Sequence, residues 1–173
     1  MDVSISRLLK KKELIQLKKG LYVTANYAKM HQKDISYTFA LANILHRPSY
    51  ISSWSALQYY NLTTEAIYET ISVGLKTTRN YSNPLGSFKF FSIKKDLFTD
   101  FSLVKTDCSF LIASPAKALF DMLYFRTRRF SSLSTEDVKT ILFNLRINMD
   151  EMPKREEKKF YKMLKTYLLT RRL

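Results

Sequence analysis

Apolar and polar positions divide the chain into short elements whose period changes from one to the next. Residues 3 to 12 have helical spacing, with Ile5, Leu8 and Leu9 on one face and Ser6, Arg7, Lys10 and Lys11 on the others. Over residues 14 to 23 the period falls to two. Ile15, Leu17, Leu21 and Val23 point inward, and Lys18-Lys19-Gly20 supplies a tight basic turn between two short strands. A helix is expected from Asp34 to Leu45, capped by Ser36, with Tyr37, Ala40, Leu41, Ile44 and Leu45 on one face and Arg47-Pro48 ending it. Tyr50-Ile51 is a short extended piece. Ser53 to Tyr60 reads as a helix in which Trp54 and Leu57 share a face, and Asn61 suits a left-handed terminus.

Alternation returns at Tyr68 to Leu75, where Ile71, Val73 and Leu75 face one way and Thr70 and Ser72 the other, as in a half-buried strand; Lys76 to Arg79 carry it into solvent. Asn83-Pro84-Leu85-Gly86 matches a type I turn position by position and should reverse the chain into an antiparallel strand, Ser87 to Lys94. Because Phe88 and Phe90 are out of phase with Phe91 and Ile93, a bulge is expected near Phe90. Another short strand covers Ser102 to Lys105.

The strongest signal is Ser109 to Arg126. Phe110 to Ala113 form an unbroken apolar run of strand length, as an inner strand requires. Ser114 is placed to cap the next helix and Pro115 fits its first position. Ala116, Leu119, Phe120 and Leu123 then make one face, while Met122, Tyr124 and Phe125 extend it around the circumference. Only Lys117 and Asp121 are left as a stripe for water. After the basic run Arg126, Arg128, Arg129, Ser134 should cap a helix through Val138, Ile141, Leu142 and Leu145. Pro153 precedes a last amphipathic helix, Arg155 to Leu169. The expected class is α+β, with a partial winged-helix element at the N-terminus, an antiparallel sheet packed on helices and a helical C-terminus.

Composition changes this picture in two ways. With 173 residues, 46% of them hydrophobic, the chain can build a core without staples, and its single cysteine, Cys108, excludes an internal disulfide and fits a reducing cytoplasm. No apolar run is long enough to span a membrane, so no membrane partner is expected. The balance of 29 Lys+Arg against 15 Asp+Glu leaves a net charge of +14, a field that attracts polyanions such as nucleic acid or an acidic protein. Residues 1 to 33 alone carry eight basic side chains against Asp2 and Glu13, or +6. A basic amphipathic helix followed by a basic-tipped hairpin has the form of a recognition helix and wing, with Ser6, Arg7, Lys10, Lys11, Lys18 and Lys19 as candidate DNA-binding residues.

Catalytic constellations are missing from the sequence. His31 and His46 lack metal-ligand spacing and read as surface or helix-end residues, and the three glycines form no phosphate loop. Cys108 lacks an evident base and reads as structurally buried. Asp137-Val138-Lys139 and Glu156-Glu157-Lys158 have the acidic-x-Lys form of a nuclease metal site but fall on expected helices. The expectation is a binding protein with no cofactor, no metal and no enzymatic activity.

Four motifs in order, Leu14 to Tyr22, Pro48 to Ser52 with Ser55-Ala56-Leu57 and Tyr59-Tyr60, Pro84 to Phe88, and Ile112-Ala113-Ser114-Pro115 with Lys117-Ala118-Leu119 and Asp121, resemble the AbiEi-type antitoxins of type IV abortive-infection toxin-antitoxin systems. The resemblance covers about residues 3 to 126. It implies that residues 1–25 are the recognition helix and wing of a truncated winged helix-turn-helix and residues 26–173 an antitoxin domain. It also implies two partners, operator DNA and a nucleotidyltransferase toxin, and autorepression of the operon. Ala116 stands where the family usually has Glu and Asn61 where it usually has Gly. Only two residues precede Val3, where a complete winged helix-turn-helix has two more helices, so weak and unselective DNA binding is expected. Two other readings remain open: an interaction-only antitoxin-like protein without specific DNA binding, and a metal-dependent nuclease.

Overall fold

The computed structural model describes residues 3–127 and 135–170. Helix α1 (Val3–Lys10) leads into a hairpin of β1 (Leu14–Lys18) and β2 (Leu21–Thr24), a two-stranded sheet of its own. Gly20 takes the left-handed conformation that its turn requires, with φ +77°. After α2 (Ala25–His31) and α3 (Ile35–Leu45) come β3 (Ser49–Ile51), α4 (Ser53–Tyr59), β4 (Glu69–Gly74), β5 (Arg79–Asn83), β6 (Gly86–Ser92), β7 (Phe101–Val104) and β8 (Phe110–Ala113). Three helices close the described chain: α5 (Pro115–Arg126), α6 (Thr135–Asn144) and α7 (Lys154–Thr170). The class is α+β, and no helix of the described residues is long and apolar enough to cross a membrane.

The six-stranded sheet runs β5-β6-β4-β3-β8-β7 and is mixed: β4 with β6 and β3 with β8 are parallel, and the other neighbours are antiparallel. The turn at Asn83–Gly86 forms as expected, with Asn83 Oδ1 accepting from the Leu85 N–H at 2.9 Å. What it reverses is β5, an edge strand whose sequence, RNYSN, carries no apolar phase to announce it. β6 then slots between β5 and β4, which leaves β4 and β6 parallel. No bulge interrupts this pair, whose register runs evenly from Glu69↔Ser87 to Gly74↔Ser92. The two phases of β6 are both used. Phe88 and Phe90 enter the core, and Phe91 stacks on Phe125 with ring centroids 4.6 Å apart. The irregularity lies instead in the hairpin, between Gln16 and Lys18.

Other expectations shift for related reasons. β4 is buried on both faces from Ile71 to Gly74 rather than half-buried, while Leu75 beyond it is exposed. A Cβ at Gly74 would come within 2.7 Å of the Pro48 carbonyl oxygen, so the close approach of β3 to β4 needs this glycine. The cap of α3 is Asp34, whose Oδ1 accepts from the Ser36 N–H, and its buried side is wider than one face, taking in Phe39 and Ala42 while Ile44 is exposed. Asn61 adopts φ +58° at the end of α4, as its position suggested. Ser134, the expected cap of α6, and Arg128 and Arg129 lie outside the described residues.

The inner strand and helix at 110–126 form as read: Ser114 Oγ accepts from the Lys117 N–H and Pro115 opens α5. α3 packs on β3, β4 and β8, α4 on β4 and α5, and α7 on α5. Leu119 and Leu123 are wholly buried in a core that also takes in Leu17 of the hairpin.

Candidate nucleic-acid interface and its buried anchor

α5 has no water stripe. Lys117 and Asp121, the two residues expected to face solvent, are both 0% exposed, in a helix packed against α4 and α7. Burying them is tolerable because they are paired. Lys117 Nζ lies 2.5 Å from Asp121 Oδ1, and Asp121 Oδ2 accepts from the Ser52 hydroxyl at 2.7 Å and the Tyr50 hydroxyl at 3.0 Å. Burial pushes the Asp121 carboxyl up, while the Lys117 ammonium and the two hydroxyls hold it down. Burial and the neighbouring carboxylate push the Tyr50 phenol far above its ordinary value, so it remains a donor. The Lys117 ammonium also lies over the Phe120 ring, 5.1 Å from its centroid. One carboxylate thus ties the short strand β3 to the central helix α5.

The start of α5 is held from outside as well. Its first turn has no acidic side chain, and Glu156 of α7 supplies one by accepting from the Ala116 N–H at 3.1 Å. Lys159 of the same helix pairs with Asp100 at 2.7 Å and donates to Ser114 Oγ at 3.3 Å. Burial raises the Asp100 carboxyl, but hydrogen bonds from Lys159 and Thr99 and the charges of Lys159 and Lys117 outweigh it and leave the group below its ordinary value. Tyr60 donates to the Ala113 carbonyl at 2.9 Å, and burial pushes its phenol up to about 12.

On the surface, the tip of the hairpin meets the edge of the large sheet. Asn83 donates to the Leu17 carbonyl, and Lys18 crosses to the end of α3, where its ammonium donates to the Leu45 carbonyl at 2.6 Å and sits over the Tyr81 ring. A groove of about 520 Å³ opens beside it, and its charged lining is Lys18, Arg47, Lys76 and Arg79, with no carboxylate. His46 also lines it, 7% exposed, its ring tilted against that of Phe90 with centroids 5.0 Å apart and its Nδ1 3.5 Å from the Tyr81 hydroxyl. Burial lowers its basicity. A backbone hydrogen bond with Thr77 opposes that, and the positive charges of Lys76, Arg79 and Lys18 reinforce it. Burial is the first cause of that shift; the clustered cations, which add to it, give the groove the positive potential that draws in phosphate.

The six residues singled out from the sequence are therefore distributed unequally. Arg7 and Lys10 on α1, Lys11 just beyond it and Lys19 at the hairpin tip are exposed; Ser6 is partly covered. Lys18 is committed to the end of α3 and shapes the groove rather than projecting freely. Arg47, Lys76 and Arg79 were not anticipated. Their signal in the sequence, a basic residue before a proline and two in a solvent-exposed link, acquires meaning only when β5 turns back beside the hairpin.

The acidic-x-Lys pairs stay on helices, as expected. Glu156 is occupied with α5, Glu157 pairs with Lys154 at 3.2 Å, and Lys139 pairs with Glu136 at 3.2 Å. His46 is a helix-end residue but a buried one, and Cys108 is only partly buried. Compared with known proteins, the chain matches no family model and no curated protein.

Proposed function

We propose that this chain is an antitoxin-like regulator of the AbiEi type, which binds DNA through its hairpin and cation-lined groove and counteracts a nucleotidyltransferase toxin, with no catalysis of its own. One observation carries the reading. Two of the separated motifs on which the resemblance rests meet in one buried network, Tyr50 and Ser52 from the first and Lys117 and Asp121 from the second. Residues far apart in sequence that share a single carboxylate are bound to one another by energetics, which gives the motifs a common physical reason to occur together. Both departures from the family pattern are accommodated: Glu156 brings a carboxylate to the first turn of α5, and Asn61 takes the left-handed conformation.

The DNA part of the reading rests on charge. Exposed Arg7, Lys10, Lys11 and Lys19 lie on the same N-terminal segment as Lys18, which borders the groove formed with Arg47, Lys76 and Arg79. The commitment of Lys18 to Leu45 favours a second reading, in which the groove receives an acidic protein surface and DNA is not bound. Co-expression with a nucleotidyltransferase toxin encoded beside this chain tests the antitoxin function. Growth is restored on the proposed reading; folded protein that leaves an active toxin unopposed overturns it.

A further inference from the structure

Away from the groove and the ion pair, three side chains of different donor type converge where α2 ends, α3 begins and the β7–β8 loop passes over them. They are His31, Asp34 and Cys108, whose ligand atoms all lie within 4.8 Å of one another. We propose that they form a binding site for a thiophilic divalent transition metal, of which zinc is the model.

The donor set fits such an ion. One imidazole nitrogen, one carboxylate oxygen and one thiolate supply two negative charges to a dication and leave a fourth position open, the composition of a three-ligand tetrahedral site. Each donor is already oriented by the fold. Asp34 is the N-cap of α3, so its Oδ1 is held by the Ser36 N–H at 2.8 Å, and Oδ2 is the oxygen that stands 3.9 Å from His31 Nδ1. The His31 ring packs against Tyr27 and Tyr37, with centroids 4.4 and 5.4 Å away. Cys108 Sγ has the Tyr27 hydroxyl at 3.8 Å, an outer partner able to donate to a thiolate. Around a tetrahedral zinc the donor atoms stand roughly 3.3 to 3.6 Å apart. His31 and Asp34 are about a third exposed and Cys108 is partly buried, so drawing the donor atoms in from 4.8 Å or less to that spacing asks for side-chain rotations that the packing leaves free. The bound ion would clip α2, which follows the basic hairpin, to the loop before the inner strand β8. Sequence spacing conceals this site, since Cys108 reaches it only through the fold.

Cobalt(II) is the probe, titrated into reduced, metal-free protein of full length. One equivalent should produce a thiolate-to-cobalt charge-transfer band and the intense visible bands of a four-coordinate ion, and zinc should displace both. Cys108→Ser should abolish the charge-transfer band. His31→Ala and Asp34→Asn should each weaken binding by about tenfold or more; the Asn variant keeps a side-chain cap for α3, so its circular dichroism should be unchanged. Zinc should also raise the melting temperature of the parent protein and not that of His31→Ala. Absence of the band at stoichiometric cobalt, or a band that survives in both His31→Ala and Asp34→Asn with undiminished affinity, overturns the proposal.

Discussion

Lys117 and Asp121 stand one turn apart on α5 with Nζ 2.5 Å from Oδ1, and neither side chain touches solvent. A pair so buried is worth little relative to well-packed apolar residues, but removing one partner strands the other. Asp121→Ala should therefore cost about 3 to 5 kcal/mol, measured by urea denaturation. Lys117→Met should behave differently with pH. Its unpaired carboxylate has a folded-state pKa above the unfolded value, so protonation favours the folded state and this variant regains stability as pH falls toward the ordinary carboxylate range. Asp121→Ala has no such recovery.

Leu119 and Leu123 lie on the same helix, both fully buried. Truncating either to Ala removes core contacts and leaves a cavity, at a cost of roughly 2 to 5 kcal/mol. A loss below about 1 kcal/mol would place the helix face at the surface, contrary to the packing described.

Adjacent lysines at the hairpin tip should separate into two roles. Lys18→Ala removes a charged donor from the Leu45 carbonyl and should lower stability by about 1 kcal/mol as well as weaken DNA binding. Lys19 is exposed, and Lys19→Ala should weaken DNA binding with a stability change within about 0.5 kcal/mol. Thermal melts beside binding titrations resolve the two.

His46 gives a pH signature. Its folded-state pKa lies below 6.5, so the unfolded chain binds the proton more readily, and the contribution of His46 to stability is complete above about pH 6.5 and declines as pH falls through the folded pKa. An NMR titration of the imidazole should show the depressed value. Arg79→Ala should raise it, because one of the charges opposing protonation is gone; an unchanged value would mean that Arg79 does not act on the imidazole.

What could be read from the sequence was whatever a single element settles by itself. Phe110 to Ala113, the Ser114-Pro115 start and the Asn83 turn are local signals, and they placed β8, α5 and the β5–β6 connection correctly. The failures share a different cause. Lys117 and Asp121 are polar residues at helical spacing, which a one-dimensional reading assigns to water, and only the arrival of Tyr50 and Ser52 from another element makes their burial possible. β5 has no apolar phase because it is an edge strand, so the reversal that sets β6 parallel to β4 left no trace in the pattern. Half of the candidate interface was visible as charge on the hairpin. The other half, Arg47, Lys76 and Arg79, depends on that same unseen strand.

Salt dependence of duplex binding tests the proposed interface most directly. If Lys18, Arg47, Lys76 and Arg79 each neutralise one phosphate, log affinity should fall against log salt with a slope of at least about −3.6, and each groove cation replaced by Ala should flatten that slope by about 0.9. The variant carrying Arg47→Ala, Lys76→Ala and Arg79→Ala should thus flatten the slope by about 2.7 while keeping its fold, since these side chains line an open groove. A triple variant with the parent slope, or no binding by the parent protein even at low salt, would contradict the account and leave an acidic protein surface as the groove's partner.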